Sequence, residues 1–250
     1  MRLSLQNEVK DERSESRATF PTSRWRLLDI VIVLGIVLVG TAVFYTTLII
    51  LYGDGKGTFR ISRYVAAILM SLLPIWWVRR RYGLKYEFLG IRQGRIHPLF
   101  GLVLGAVTGV AYSTVVQFTA WKWPSPPPGF VLESFTSVVF ILLSHSGFVT
   151  IVLTPIGEEI LFRGFVYDWL RRRIGVIGGL LIQACLFSLL HIDFALGAGF
   201  ANIGSRFLIG LLLGVLYETT ASLFPAMVCH GTINYMMLIN MATPLFFWID

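Results

Sequence analysis

The chain alternates long apolar runs with short polar or basic breaks. Residues 1–26 are mostly polar, with six basic and four acidic residues and no period, which predicts a disordered or surface-lying cytoplasmic tail. From Leu27 to Tyr52 the single charged residue is Asp29, and the run is long enough to cross about 30 Å of hydrocarbon. It is too long for a signal-peptide core and lacks an A-x-A-like exit, so it reads as a retained anchor. Gly-Asp-Gly-Lys-Gly at 53–57 ends it. A second span is predicted from about Ile61 to Val78, stopped by Arg79, Arg80 and Arg81. A third covers about 98–120 and closes on Trp121, Lys122 and Trp123, before the Pro-rich turn 124–128. The fourth runs from 131 to about Leu153 and is interrupted by Ser144, His145, Ser146 and Gly147. Further segments are expected at about 155–170, 175–192, 202–218 and 221–241. The pattern therefore predicts an all-α, polytopic membrane protein with about eight transmembrane helices. It divides into a tail (1–26), two N-terminal helices (27–84) and a core (85–241), with no internal repeat and no soluble domain.

Composition supports a membrane environment. Hydrophobic residues make up 55% and charged residues 14%, against roughly 25% charged in a soluble domain. Mean hydropathy is +0.72. Soluble domain, secreted mini-protein, coiled coil and disordered chain are all excluded. The net charge of +7 comes from short basic clusters between apolar runs, where Lys and Arg mark inward-facing loops rather than a nucleic-acid surface. The linker 79–96 holds six basic residues against Glu87 alone, so it is expected to be cytoplasmic. Cys185 and Cys229 lie in apolar segments without paired spacing and read as small buried hydrophobes.

One segment is unlike the others. Between Thr154 and Arg173 the chain carries Glu158, Glu159, Arg163, Asp168 and three consecutive arginines. Ionisable groups at membrane depth cost at least about 2.5 kcal/mol each on the insertion scale, so function is their default interpretation. Glu159 and Arg163 are four apart and share a helix face, where they can pair. Glu158 lies about 100° round and is left free of that partner, able to act as a general base or acid. His191 ends the next apolar segment. About 14 residues of helix lead from Glu158 to the arginines and about 16 from Gly175 to His191. Two antiparallel helices rising roughly 1.5 Å per residue would therefore return His191 to the level of Glu158. His230 and Asn234 are four apart in the last segment, and an Asn donor suits a developing oxyanion. Interhelical polar glue is the bland alternative for this pair. His97 reads as a solvated linker residue and His145 as a helix–helix hydrogen-bonding group. The constellation suits activation of water against a carbonyl. Glu158, His191 and His230 could equally hold a zinc with an open position.

The order EExxxR (Glu158 to Arg163), FxxxH (Phe187 to His191) and HxxxN (His230 to Asn234) resembles the CPBP family. These are the CAAX proteases and bacteriocin-processing enzymes, also called the Abi family, and they include the type II CAAX prenyl endopeptidases. Arg163-Gly164 and Leu89-Gly90-Ile91-Arg92 extend the resemblance, which covers roughly 85–240. It implies an intramembrane endopeptidase of glutamate type with an active-site cavity within the bundle. In that reading Glu158 and His191 activate water, His230 and Asn234 form the oxyanion site, and Glu159 and Arg163 support the motif helix. No metal cofactor is expected; a zinc, if bound, would sit on Glu158, His191 and His230. The implied partners are a membrane-anchored protein or peptide substrate and the lipid bilayer, with no nucleic acid. The implied location is the cell membrane, on general grounds that of a prokaryote. A non-catalytic scaffold or bacteriocin-immunity-type peptide-binding protein is the alternative, and a proton-relay transporter a third reading.

Two expectations conflict. A cytoplasmic linker 79–96 sends the third span out and brings the fourth back, which places Glu158 near the cytoplasmic side. If 155–170 then crosses again, Arg171, Arg172 and Arg173 fall outside, against the charge rule. Either that segment is re-entrant or the depth match of Glu158 and His191 overrides the three arginines; the depth match is preferred here.

Overall fold

A computed structural model describes residues 25–53, 55–120, 145–191 and 203–246. Most of the polar tail, the Trp121–Trp123 belt, the turn 124–128 and Ser144 lie outside the described residues. All regular structure among the described residues is helical. Helix α1 spans Leu27–Tyr52, α2 Lys56–Tyr82 and α3 Pro98–Ala120, with a 3₁₀ turn at Tyr86–Leu89. From His145 helical segments follow one another without a loop: α4 (His145–Phe148), a π segment (Val149–Leu153), α5 (Thr154–Glu159), a second π segment (Ile160–Tyr167) and α6 (Asp168–Leu189), which is broken at Gly175. Helices α7 (Ile203–Thr220) and α8 (Leu223–Phe246) complete it. Among the described residues, five stretches are long and apolar enough to cross a membrane, one of them the 41-residue run Val149–Leu189.

The outward faces are apolar, with Leu28, Val39, Ile50, Leu72, Val107 and Ile177 among the many large hydrophobic side chains left exposed. This suits lipid as the surrounding solvent. Asp29 is the exception that α1 buries. It accepts hydrogen bonds from the Arg26 backbone N–H (2.7 Å), Trp77 Nε1 (3.0 Å) and the Tyr82 hydroxyl, and pairs with Arg81 Nε at 2.9 Å. A charge otherwise costly at this depth thus pins α1 to the C-terminal end of α2.

Gly175 sets the central topology. Its φ of 79° and ψ of 175° break the helix inside α6, in a region that only glycine occupies without strain. The chain folds back there, so the limbs before and after Gly175 are antiparallel: Phe162 meets Phe187 edge to face at 5.2 Å, and Gly179 lies against Arg171 and Tyr167. The 41-residue apolar run is therefore a hairpin.

The continuity of the chain from His145 revises two expectations. The described part of the fourth segment and the segment 155–170 are one helical run, so the anticipated eight-helix division is not reproduced as drawn. No additional crossing separates them, and this removes the conflict over the arginines. Gly164 lies so close to the Leu89 carbonyl that a Cβ there would approach it to 2.4 Å. Trp25 Nε1 donates to the Phe165 carbonyl at 3.0 Å. Arg171 pairs with Glu218 at 2.7 Å, and Arg95 Nη1 donates to the Glu218 carbonyl. The run from Thr154 therefore heads towards the basic linker, and Arg171 meets it through Glu218, which Arg95 also contacts. Glu158, about 20 Å earlier at 1.5 Å per residue, lies deep in the bundle rather than near the linker side.

The linker is itself part of the core. Leu89 is fully buried. The Gly90 carbonyl accepts from Leu223 N–H, Ser222 Oγ donates to the Arg92 carbonyl, and Arg95 N–H donates to the Thr220 carbonyl. The Leu-Gly-Ile-Arg segment thereby ties the motif hairpin to the α7–α8 turn.

Candidate active site

Glu158 and Glu159 occupy the last α-helical turn before the second π segment; π turns are common at functional sites. The two carboxylates face different partners. Glu159 and Arg163 are fully buried, and Arg163 Nη1 donates to Glu159 Oε1 at 2.9 Å. Arg163 Nη2 donates to the Gly210 carbonyl at 3.1 Å, and its guanidinium lies 4.7 Å from the Phe187 ring centroid. This is the i,i+4 pair the spacing predicts.

Glu159 has a second bond that the spacing does not reveal: His230 Nδ1 lies 2.8 Å from its Oε1. A carboxylate accepts, so Nδ1 carries the proton, and Nε2 of His230 is turned to Glu158 Oε2 at 3.6 Å. His191 is held in the same way. Its Nδ1 lies 2.6 Å from the Phe187 carbonyl, which can only accept, and its Nε2 lies 3.5 Å from Glu158 Oε1. Both imidazoles therefore present Nε2 to Glu158, one to each oxygen. The separations exceed those of direct hydrogen bonds. Glu158 is free of Arg163's primary bond, as the spacing implies, but it is not isolated. It sits between two rings. Phe187 lies behind both, at 4.3 Å from His191 and 5.9 Å from His230, centroid to centroid.

Asn234 lies one turn beyond His230. Its Nδ2 donates to the Thr150 carbonyl at 2.9 Å, which fixes the amide's orientation and leaves a second N–H. A cavity of about 430 Å³ exposes Glu158, His191, His230 and Asn234 together, with Thr150, Thr154, Arg63 and Arg206 among the other lining residues. Sequence reasoning missed the two arginines, one on α2 and one on α7. The structure thus joins Glu158, His191, His230 and Asn234 at one cavity, with Glu159 and Arg163 buried beside it. His97 is remote in sequence from all of these in the linker, and the His145 side chain lies outside the described residues. Among the described residues, no group of three His, Cys, Asp or Glu side chains is arranged to hold a metal ion.

Residues 141–236 match the family model described as "Type II CAAX prenyl endopeptidase Rce1-like". The chain carries an Rce1-like domain. The matched span contains Glu158, Glu159, Arg163, His191, His230 and Asn234. An Escherichia coli protein described as an "Uncharacterized 24.3 kDa protein" is 26% identical over 187 residues, covering 73% of this chain and 80% of its own length. No solved structure matches the chain significantly. The matched family is a protease family, and several helices of this chain are long and apolar enough to cross a membrane.

Proposed function

We propose that the protein is an intramembrane endopeptidase in which Glu158 activates water to hydrolyse a peptide bond of a membrane-associated substrate. One observation carries this reading: two imidazole Nε2 atoms converge on the two oxygens of a single buried carboxylate, at 3.5 and 3.6 Å, inside a cavity in the bundle. With neutral rings, each Nε2 and each carboxylate oxygen is an acceptor. A water satisfies such a pair by donating both of its protons and turns a lone pair outward.

In the reaction this water attacks the scissile carbonyl. A C–O bond forms, Glu158 takes the proton, and the carbonyl π electrons move onto oxygen. Asn234 offers its second N–H to that oxyanion without any change of protonation. His230, whose Nδ1–H is committed to Glu159, offers Nε2–H only when its ring carries both protons. Collapse re-forms the carbonyl and breaks the C–N bond. The proton held by Glu158 passes to the leaving amine, with His191 in position to relay it. Each step uses this chain's own side chains and none is routed through a metal.

The substrate class follows the resemblance: a membrane-anchored peptide or protein, prenylated CAAX tails among the candidates. A bacterial relative supports a prokaryotic plasma membrane as the location. The test is turnover by purified protein in liposomes, using a farnesylated CAAX-type peptide and its unprenylated counterpart. Wild type should cleave and Glu158→Gln should not, with both proteins melting alike. Cleavage retained by Glu158→Gln would overturn the assignment.

A further inference from the structure

The catalytic cavity sits off-centre along the bundle. Gly157 lies so close to α2 that a Cβ there would approach the Ala67 carbonyl to 2.7 Å. Ala67 stands 15 residues before Tyr82, so the neighbouring Glu158 is about 22 Å from the linker end of α2 at 1.5 Å per residue. Other residues that line the cavity are as far or farther. Arg63 stands 19 residues before Tyr82, Arg206 14 before Thr220 and Met237 14 beyond Leu223, which puts them roughly 21–28 Å from that end. Against about 30 Å of hydrocarbon, the cavity extends from Glu158 away from the linker.

The way towards the linker is filled. Arg163 packs on Phe187, Tyr167 meets Tyr217 edge to face at 6.1 Å, and Gly90 of the linker lies against the Tyr217 ring. These four side chains are at most 1% exposed. Exposure rises in the other direction, from nil at Glu159 and Arg163 to 8% for the Glu158 side chain and 23% for that of His191. Arg63, Arg206 and Met237 are each partly exposed. Arginines at such a depth are tolerated where they line a wet cavity or reach the interface.

Charge assigns the two ends. The linker end carries the six basic residues of 79–96, and α1 starts there with Asp29 paired to Arg81. At the opposite end, the turn 53–57 balances Lys56 with Asp54. Basic loops face the cytoplasm. We infer that the catalytic cavity opens to the extracytoplasmic face and receives a substrate segment that enters from that side. This rests on the peptidase reading and deepens it. The substrate class is a membrane-anchored peptide or protein whose scissile segment has already been translocated, so a transport step precedes hydrolysis. A prenylated tail held at the cytoplasmic leaflet approaches the packed end instead.

The experiment reads the opening and the cleavage separately. With Cys185 and Cys229 replaced by alanine, single cysteines are placed in the cavity by Met237→Cys and Ala66→Cys and in the linker by Lys85→Cys. A sulfonated, membrane-impermeant maleimide is applied to spheroplasts and to inside-out vesicles of the expressing cells. The two cavity cysteines should react in spheroplasts and lose that reactivity in inside-out vesicles, and Lys85→Cys should show the reverse. The cavity variants sit on different helices, so one that fails to fold leaves the other as the test. Cavity cysteines that react from the same face as Lys85→Cys, or from neither face, overturn the inference. Lys85→Cys reacting in spheroplasts overturns it as well, because the bundle is then inverted. Peptide termini made by wild type and absent with Glu158→Gln should fall in segments that proteinase K digests in spheroplasts. Termini confined to segments shielded there overturn the inference and leave the peptidase reading intact. Cavity labelling from outside with no such termini leaves the opening standing and removes the peptidase reading instead.

Discussion

Two adjacent glutamates should give opposite phenotypes, because the chain places them in different electrostatic settings. Glu159 Oε1 receives both Arg163 Nη1 (2.9 Å) and His230 Nδ1 (2.8 Å), and the pair is wholly buried. Glu159→Gln keeps the shape but leaves the Arg163 charge uncompensated in the core. Breaking a buried pair in this way costs about 3–5 kcal/mol. For a chain of this size that corresponds to a fall in Tm of roughly 6–20 °C, at about 2–4 °C per kcal/mol. Arg163 also anchors the Gly210 carbonyl on α7 and lies against Phe187, so the loss should spread to the α6–α7 contact. Glu158 receives no charge-assisted hydrogen bond shorter than 3.5 Å, and Glu158→Gln should leave Tm within a few degrees of wild type. The assay is thermal unfolding of the two variants in the same detergent, followed by turnover of whatever remains folded. A Glu158→Gln variant that melts well below Glu159→Gln would refute the division of roles between the two carboxylates.

Other consequences are equally direct. Asn234→Ala should lower kcat by about 10²–10³-fold with a small change in KM, as for loss of one oxyanion donor; a change confined to KM would contradict it. Gly175→Ala should destabilise the hairpin by about 1–3 kcal/mol, because its backbone conformation is essentially closed to side-chain-bearing residues; unfolding midpoints in denaturant measure it. With Cys185 and Cys229 replaced, single cysteines introduced at Lys85 and at Arg173 should react with an impermeant thiol reagent from one side of the membrane. A cysteine at Gly55 should react from the other side, and labelling of positions 85 and 173 from opposite sides would break the topology.

What the sequence discloses here is chemistry within one helix and depth between two. Glu159 and Arg163 pair because an i,i+4 spacing decides it locally, and His230 and Asn234 share a face for the same reason. The meeting of His191 with Glu158 also follows from residue rise alone, once the chain turns at Gly175. Contacts between helices far apart in sequence are another matter. The Glu159–His230 bond joins residues 71 apart, and nothing in either helix's own period says which neighbour it faces. No spacing singles out Arg63 or Arg206; only packing brings both to one cavity. The apolar pattern suggested a boundary between a span ending near Leu153 and one starting near 155, whereas the chain is helical across that point, from His145 as far as the break at Gly175. That single misreading produced the apparent conflict over Arg171–Arg173. Asp29 similarly gave no hint of its partners, which come from 48 to 53 residues away on α2.

The most direct test of glutamate-driven proteolysis compares peptide termini in membranes expressing wild type or Glu158→Gln at equal levels, with and without a chelator. New termini made by wild type alone, at the same abundance with chelator present, are the expected result, and their position gives the cleavage site. Termini that are identical in the two membranes, or that vanish with the chelator, would contradict a water activated by Glu158 without a metal.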